Sequence, residues 1–182
     1  SHSHSISKGF ILSPSSPYED NKGDLMILDH FSQIQLGEKS KIGIIGTQEL
    51  SQAHQQMVEL LSYALVLSGN HVYTSGGGNG MNGTNLAVIR GALRACNTDL
   101  ITVILPQRIH YQPAELQLLL SRVTQLIQMP ENDEMDLKEA ANMCNLKILD
   151  HVDKALAFLF HGSKTLLNSL ENASDHIEII KF

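Results

Sequence analysis

The residues with the most chemistry to offer are Ser75-Gly76-Gly77-Gly78-Asn79-Gly80-Met81-Asn82-Gly83-Thr84, five of which are glycine. They follow a short apolar, β-branched stretch, His71-Val72-Tyr73-Thr74, and precede a helical pattern that runs from Thr84 to about Ala95. Strand, glycine loop and helix in that order present backbone N–H groups and a helix N-terminus to an anion. Glycine suits such a loop on two counts: it adopts φ > 0 without steric cost, and it lets a ligand come close to the backbone. The chemistry indicated is phosphate or nucleotide binding; the competing reading is a glycine-rich surface turn with no ligand. The first is preferred because a second candidate anion site, Gly162-Ser163 ahead of another helical stretch, follows later in the chain.

Several side chains and glycines attach to this loop. Gly46 and Thr47 end an earlier strand. Thr47 and Thr84 can each cap the helix that follows or donate a hydroxyl to a phosphate, and Ser163 is placed to cap a third. Asn145 either reads a base or sugar hydroxyl or sits on a solvated helix face. Lys164 reads as a surface lysine that can also neutralise a phosphate, Arg90 and Arg94 as a solvated helix side, and Cys144 as a small buried apolar residue. His161 has no partner in sequence and reads as a turn histidine in preference to an acid–base group. The candidate ligand-binding set is Gly46, Thr47, Ser75, Gly76, Gly77, Gly78, Asn79, Gly80, Thr84, Asn145, Gly162 and Ser163. No catalytic residue, metal ligand or cofactor is assigned.

The elements that must position these residues alternate in type. Lys41-Ile42-Gly43-Ile44-Ile45-Gly46 is a buried-strand signature. Residues 51–68 carry Ala53, Met57, Leu60, Leu61, Ala64 and Leu65 on one helical face, stopped by Gly69-Asn70. Strands follow at 71–74 and 99–105, the latter ended by Pro106, with the helix from Thr84 between them. A short helix at 114–122 leads to a strand at 123–129. Asp136 and Glu139 form a capping-box pattern for a helix reaching about Asp150. A strand at 154–160, a helix at 164–171 and an alternating edge strand at 176–182 complete the series. Residues 25–36 fit either a short helix or a strand, and the Ser- and Pro-rich residues 1–24 read as an extended or disordered segment. The organisation is one domain over residues 25–182. Its class is α/β: a doubly wound, mostly parallel sheet with helices on both faces, Rossmann-like. Ligands of such sheets lie at the C-terminal ends of the strands, where Gly46-Thr47, 75–84 and Gly162-Ser163 all fall.

Composition narrows the classes. The 182 residues carry 13 basic and 19 acidic side chains, a formal net charge of −6, which argues against broad binding to duplex nucleic acid. No window approaches the uninterrupted apolar length of a membrane span, and the start shows no charged-then-apolar leader, so a cytoplasmic setting is expected. Cys96 and Cys144 form no metal or redox motif, and no histidine pair stands at metal-ligand spacing with a carboxylate. Ser1-His2-Ser3-His4 reads as an appended or disordered start. Gly46-Thr47-Gln48 is not a G-x-G-x-x-G fingerprint, and G-x-x-x-x-G-K-[ST] is absent, so ordinary dinucleotide and P-loop nucleotide binding are disfavoured.

Between about residues 41 and 172 the chain resembles the superfamily that joins the DNA-processing protein A family to the Lonely Guy phosphoribohydrolases. The resemblance is carried by Ile44-Ile45-Gly46-Thr47, by Ser75-Gly76-Gly77-Gly78-Asn79-Gly80 followed by Arg90-Gly91-Ala92-Leu93, and by Asn145 to Asp153 followed by Gly162-Ser163. It implies a Rossmann-like fold, a nucleotide or other phosphorylated small molecule or single-stranded nucleic acid as partner, no membrane, and self-association as a homo-oligomer. The phosphoribohydrolases carry an Arg-Lys pair on the late helix and a glutamate in a P-G-G-x-G-T-x-x-E loop; this chain has Cys144-Asn145-Leu146-Lys147 and Phe160-His161-Gly162-Ser163-Lys164-Thr165, with no glutamate before Glu171. The DNA-processing family usually has an arginine where Cys144 stands. The resulting expectation is a non-catalytic binding domain; the alternatives are a nucleoside-monophosphate phosphoribohydrolase and a ligand-free regulatory or scaffold protein.

Overall fold

A computed structural model of the chain describes residues 38–77, 82–160, 164–173 and 177–182. The strands are β1 (Lys41–Gly46), β2 (His71–Ser75), β3 (Ile101–Leu105), β4 (Gln125–Gln128), β5 (Lys154–Phe158) and β6 (Glu178–Lys181). The helices are α1 (Gln52–Leu67), α2 (Thr84–Arg94), α3 (Ala114–Leu120), α4 (Leu137–His151) and α5 (Lys164–Glu171). The strands form one sheet in the order β4-β3-β2-β1-β5-β6, and every neighbouring pair is parallel. The chain therefore winds outward from β1 to β4, crosses back past β1, and continues through β5 to β6. This is the doubly wound α/β arrangement expected from the alternation of elements, and the expected edge strand is seen as β6, Glu178–Lys181.

Element ends differ from the sequence reading for local reasons. Residues 98–100 are a 3₁₀ turn closed by the Leu100 N–H on the Asn97 carbonyl, so β3 starts only at Ile101. The Val123 N–H donates to the Leu120 carbonyl and belongs to the end of α3, which shortens β4 at its start. Asp136 stands at the N-cap of α4, but its side chain makes no capping hydrogen bond, so the capping box suggested by Asp136 and Glu139 is not formed there. The stretch 25–36 lies outside the described residues.

Two apolar layers sandwich the sheet. On one face α1 and α2, with Leu116 and Leu120 of α3, cover Ile42, Ile44, Val72, Val103 and Phe158. On the other, Cys144, Ile148 and Leu149 of α4 and Leu166 and Leu170 of α5 cover Ile45, Tyr73, Ile104 and Ala157. Each large apolar side chain buried in these layers contributes about 1.5–3 kcal/mol relative to exposure. The α1–α2 contact is close enough to dictate residue type. A Cβ on Gly91 would stand 1.9 Å from the Glu59 carbonyl oxygen of α1. Cys144 docks α4 with a polar contact, its thiol lying 3.2 Å from the Ile104 carbonyl and 3.5 Å from the Ser75 hydroxyl. Burial outweighs the opposing effects of that hydroxyl and of the Lys147 ammonium and pushes the thiol up to about 12.

Two outcomes follow. Gly91→Ala should destabilise the domain by about 2 kcal/mol, because overpacking at a backbone contact outweighs the ~1 kcal/mol that alanine gains in a helix interior. Urea unfolding reads this directly, and an unchanged or raised midpoint would contradict the contact. Of the two cysteines, Cys96 is exposed and Cys144 buried, so a thiol reagent at mildly alkaline pH should titrate one thiol in the folded chain and the second only after denaturation. Rapid reaction of both would mean that α4 does not seal Cys144.

Candidate functional site

β1 lies between β2 and β5 in the sheet, and its two neighbours are reached by connections that leave in opposite directions. That is the topological switch point, where crevices open at the carboxyl ends of the strands. The segments meeting there are Gly46-Thr47 after β1, Ser75-Gly76-Gly77 after β2 and Leu159-Phe160 after β5. They are stitched together. The Thr47 N–H donates to the Phe158 carbonyl at 2.9 Å, and the Leu50 N–H donates to the Asn82 carbonyl at 2.8 Å. Thr84 places both its amide and its hydroxyl on the Thr47 carbonyl, at 3.1 and 2.9 Å. Gly46 makes this possible: a Cβ there would stand 2.4 Å from the Thr84 hydroxyl oxygen and 2.9 Å from the Phe158 Cβ.

Donor by donor, much of the predicted cradle serves the frame. The Gly76 N–H extends the ladder to the Ile104 carbonyl at 2.8 Å, and the Gly77 N–H donates to the Ser75 hydroxyl at 3.1 Å. The Asn85 side-chain amide holds the Gly77 carbonyl at 2.9 Å, fixing the start of the glycine loop against the helix that ends it. The Thr47 hydroxyl donates to the Glu49 carbonyl. Thr84 is 1% exposed with both donors engaged. Neither threonine acts as a helix cap. α1 is capped by Ser51, whose hydroxyl accepts from the His54 N–H, and the N-cap position of α2 is Gly83. The dihedral argument for glycine also needs correcting here: among the described residues only Gly69 is a glycine with positive φ, so Gly46, Gly76, Gly77 and Gly83 are there for room.

Among the described residues, the first turn of α2 has the fewest partners at this edge. Gly83 has no side chain to cap it, and among the described residues the N–H groups of Asn85 and Leu86 meet no acceptor. An uncapped helix start carries roughly half a positive charge from its aligned peptide dipoles. It begins at Thr84, against the Thr47 carbonyl that follows β1. Asn145 is half-buried and follows Cys144 in α4, whose thiol reaches the end of β2. Gly78, Asn79, Gly80, Gly162 and Ser163 lie outside the described residues. No group of three or more His, Cys, Asp or Glu side chains able to hold a metal occurs among the described residues, and no described helix is long and apolar enough to cross a membrane.

Beyond the crevice, the β3–β4 side of this edge is tied shut. The Gln107 side-chain amide donates to the carbonyls of Asn132 and Met135, Asn132 donates to the Pro106 carbonyl, and Arg108 pairs with Asp133 at 3.1 Å. At the opposite, N-terminal edge, His71 stacks on Tyr73 and bonds the Thr102 hydroxyl, which donates to Gln125. Burial, and then the Lys41 ammonium, hold the His71 imidazole below its ordinary value. One feature at the crevice has no sequence motif. The ring of His54, in the first turn of α1, stacks on Phe160 with centroids 4.0 Å apart and planes 11° from parallel. The two residues are more than a hundred positions apart, so only the parallel pairing of β1 with β5 reveals them as neighbours.

No family model matches the chain, and no curated protein matches it in sequence. Among solved structures it is similar to DNA processing protein A from Helicobacter pylori, a structure described for its single-stranded DNA binding mode. The two are 18% identical and superpose with a TM-score of 0.57, over 76% of this chain and 64% of that one. The likeness establishes a shared fold, and this chain spans less than two-thirds of that protein's length.

Proposed function

We propose that this domain is a binding module for a phosphorylated ligand, a nucleotide or a stretch of single-stranded nucleic acid, held at the carboxyl edge of the sheet through the glycine-rich loop. The observation that carries the reading is the uncapped start of α2. Gly83 brings no capping side chain to that start, α2 begins against the Thr47 carbonyl beside the switch point, and a phosphate is the ligand such a terminus favours. The likeness in fold to DNA processing protein A supports the nucleic-acid branch, because that protein is described as binding single-stranded DNA. Binding without chemistry is preferred because the arginine and glutamate of the resembling phosphoribohydrolases have no counterpart at the matching positions, where Cys144 and the 160–165 segment stand.

The test is fluorescence anisotropy with a labelled oligo-dT, beside a thermal-shift series with nucleoside monophosphates. Saturable oligonucleotide binding is expected. For single strands the salt slope scales as about 0.7 of the number of phosphates neutralised. With a net charge of −6, a shallow slope of about −1 to −2 is expected, equivalent to two or three phosphates. Gly77→Val should weaken binding by about tenfold or more. Its Cβ would stand 2.5 Å from the Pro106 ring, which shifts the loop where it leaves β2. Failure to bind either probe at both low and moderate salt would refute the proposal. Release of free base from adenosine monophosphate would establish the hydrolase alternative instead.

A further inference from the structure

We infer that residues 25–36, which precede the described chain, cover the apolar trough between the outer flank of α1 and strand β6. The topology makes the trough. Helices α1, α2 and α3 lie in the connections among β1, β2, β3 and β4, and right-handed crossovers keep all three on one face of the sheet. Past α1 that face continues onto β5 and β6, for which the described residues supply no further helix. Leu156 and Phe158 of β5 are fully buried on it, and Ile180 of β6 and the following Phe182 are half-buried against the same cluster. The first turn of α1 borders this side, since His54 meets Phe160 after β5. A parallel sheet is covered on both faces, and α4 and α5 belong to the other one.

The flank of α1 is composed for contact. Ala53, Leu60, Ala64 and Leu67 fall on one helical stripe; the first three are half-buried and Leu67 is 59% exposed. Glu59 is the only Asp, Glu, Lys or Arg of this helix, and it turns to Arg94 of α2 at 3.5 Å. A helix that is apolar on both sides is one that is covered on both. The occupant follows from where the chain enters. The Ser40 N–H donates to Asn70 Oδ1 at 3.1 Å, and the Lys39 side chain lies so close to Gly69 that a Cβ there would stand 2.8 Å from Lys39 Cε, so the chain comes in along the C-terminal end of α1. Next to it, the Lys41 N–H donates to the Asp153 carboxylate at 3.0 Å, and the Glu178 N–H donates to the Asp153 carbonyl at 3.4 Å. The entry therefore stands at the mouth of the trough, between the end of α1 and the starts of β5 and β6. Seven of the twelve residues 25–36 are apolar and Asp29 is the only charged one, a composition that calls for burial. Twelve residues reach about 18 Å as a helix and about 40 Å as a strand; either spans β6, whose four residues extend about 13 Å. Tethered this near, the segment meets the trough at an effective concentration of about millimolar, which gives it the advantage over a second copy of the chain.

The chain contains no tryptophan, so Phe31→Trp and, as a second site on the same segment, Ile34→Trp each place a single indole in the full chain. Both should emit to the blue of the urea-unfolded protein and be quenched by acrylamide several-fold less, with no dependence on protein concentration. Added to Phe31→Trp, Leu60→Asp should shift the emission to the red and restore quenching. Leu67→Asp should do the same from a position that belongs to neither apolar layer, so it leaves the domain folded, with Cys144 still closed to a thiol reagent. Leu118→Asp, on α3 and 75% exposed, should leave the emission unchanged. Indoles at both positions that behave as in the unfolded protein would overturn the proposal. A shielded indole that ignores both α1 substitutions would place the segment elsewhere and overturn it too. Sedimentation supplies the remaining outcome: a dimer that Leu67→Asp returns to a monomer, with the indole exposed throughout, would put a second copy on the α1 flank in place of residues 25–36.

Discussion

A single carbonyl oxygen holds the carboxyl edge of this sheet in its shape. The Thr47 carbonyl receives both the amide and the hydroxyl of Thr84, so the loop after β1 and the first residue of α2 cannot move independently. The contact needs a residue without Cβ at position 46, since any side chain there would collide with Thr84 and Phe158. It also needs a short, hydroxyl-bearing side chain at 84 that tolerates full burial. Two buried donors on one acceptor are well worth satisfying: leaving either unpaired would cost about 1–3 kcal/mol. With Thr84 committed inward, the start of α2 has no side-chain cap at Gly83.

This recasts what the glycines do. A glycine-rich loop suggests left-handed backbone, and at Gly46, Gly76, Gly77 and Gly83 that is not the reason for the residue type. Gly76 would drive a Cβ into the side chains of Val103 and Leu105, and Gly83 would place one 2.9 Å from the Gln48 carbonyl. Space is the limiting quantity at every one of these positions. The same holds in the body of the domain, where Gly91 lets α2 lie against the backbone of α1. Helices packed that closely leave little slack, so the first turn of α2 is aimed by the whole α1–α2 contact as well as by its own loop.

The parallel sheet was legible because its strands are buried on both faces and so read as short continuous β-branched runs, as Ile42, Ile44 and Ile45 or Ile101 to Leu105 do. The helices were legible where one face is strongly apolar, as in α1. Strand ends were harder. Asn97 to Leu100 and Leu120 to Val123 carry apolar residues that extend a strand pattern on paper, yet their amides are already used in turns. Capping was also misread, because Thr47 and Thr84 have the right side chains for it but are drawn into a tertiary hydrogen bond and a local carbonyl contact. A pattern scan sees residue type and spacing; it does not see competition among acceptors that are thirty or more positions apart. The Cys144–Ser75 contact and the His54–Phe160 stack were invisible for the same reason, since each joins elements through the sheet and leaves no local signature.

Charge sets the last constraint. A polyanion approaching a protein of net charge −6 meets a mild repulsive field at long range, screened beyond about 8–10 Å at physiological salt. The two arginines of α2 do not change this at the crevice. Arg94 is occupied on the α1 side by Glu59 and the Tyr63 ring, and Arg90 is carried on a helix whose start, not its middle, faces the carboxyl edge. Under the proposed binding reading, affinity at this edge must come from contacts shorter than the screening length. Oriented N–H groups, whose dipoles are fixed before the ligand arrives, meet that requirement.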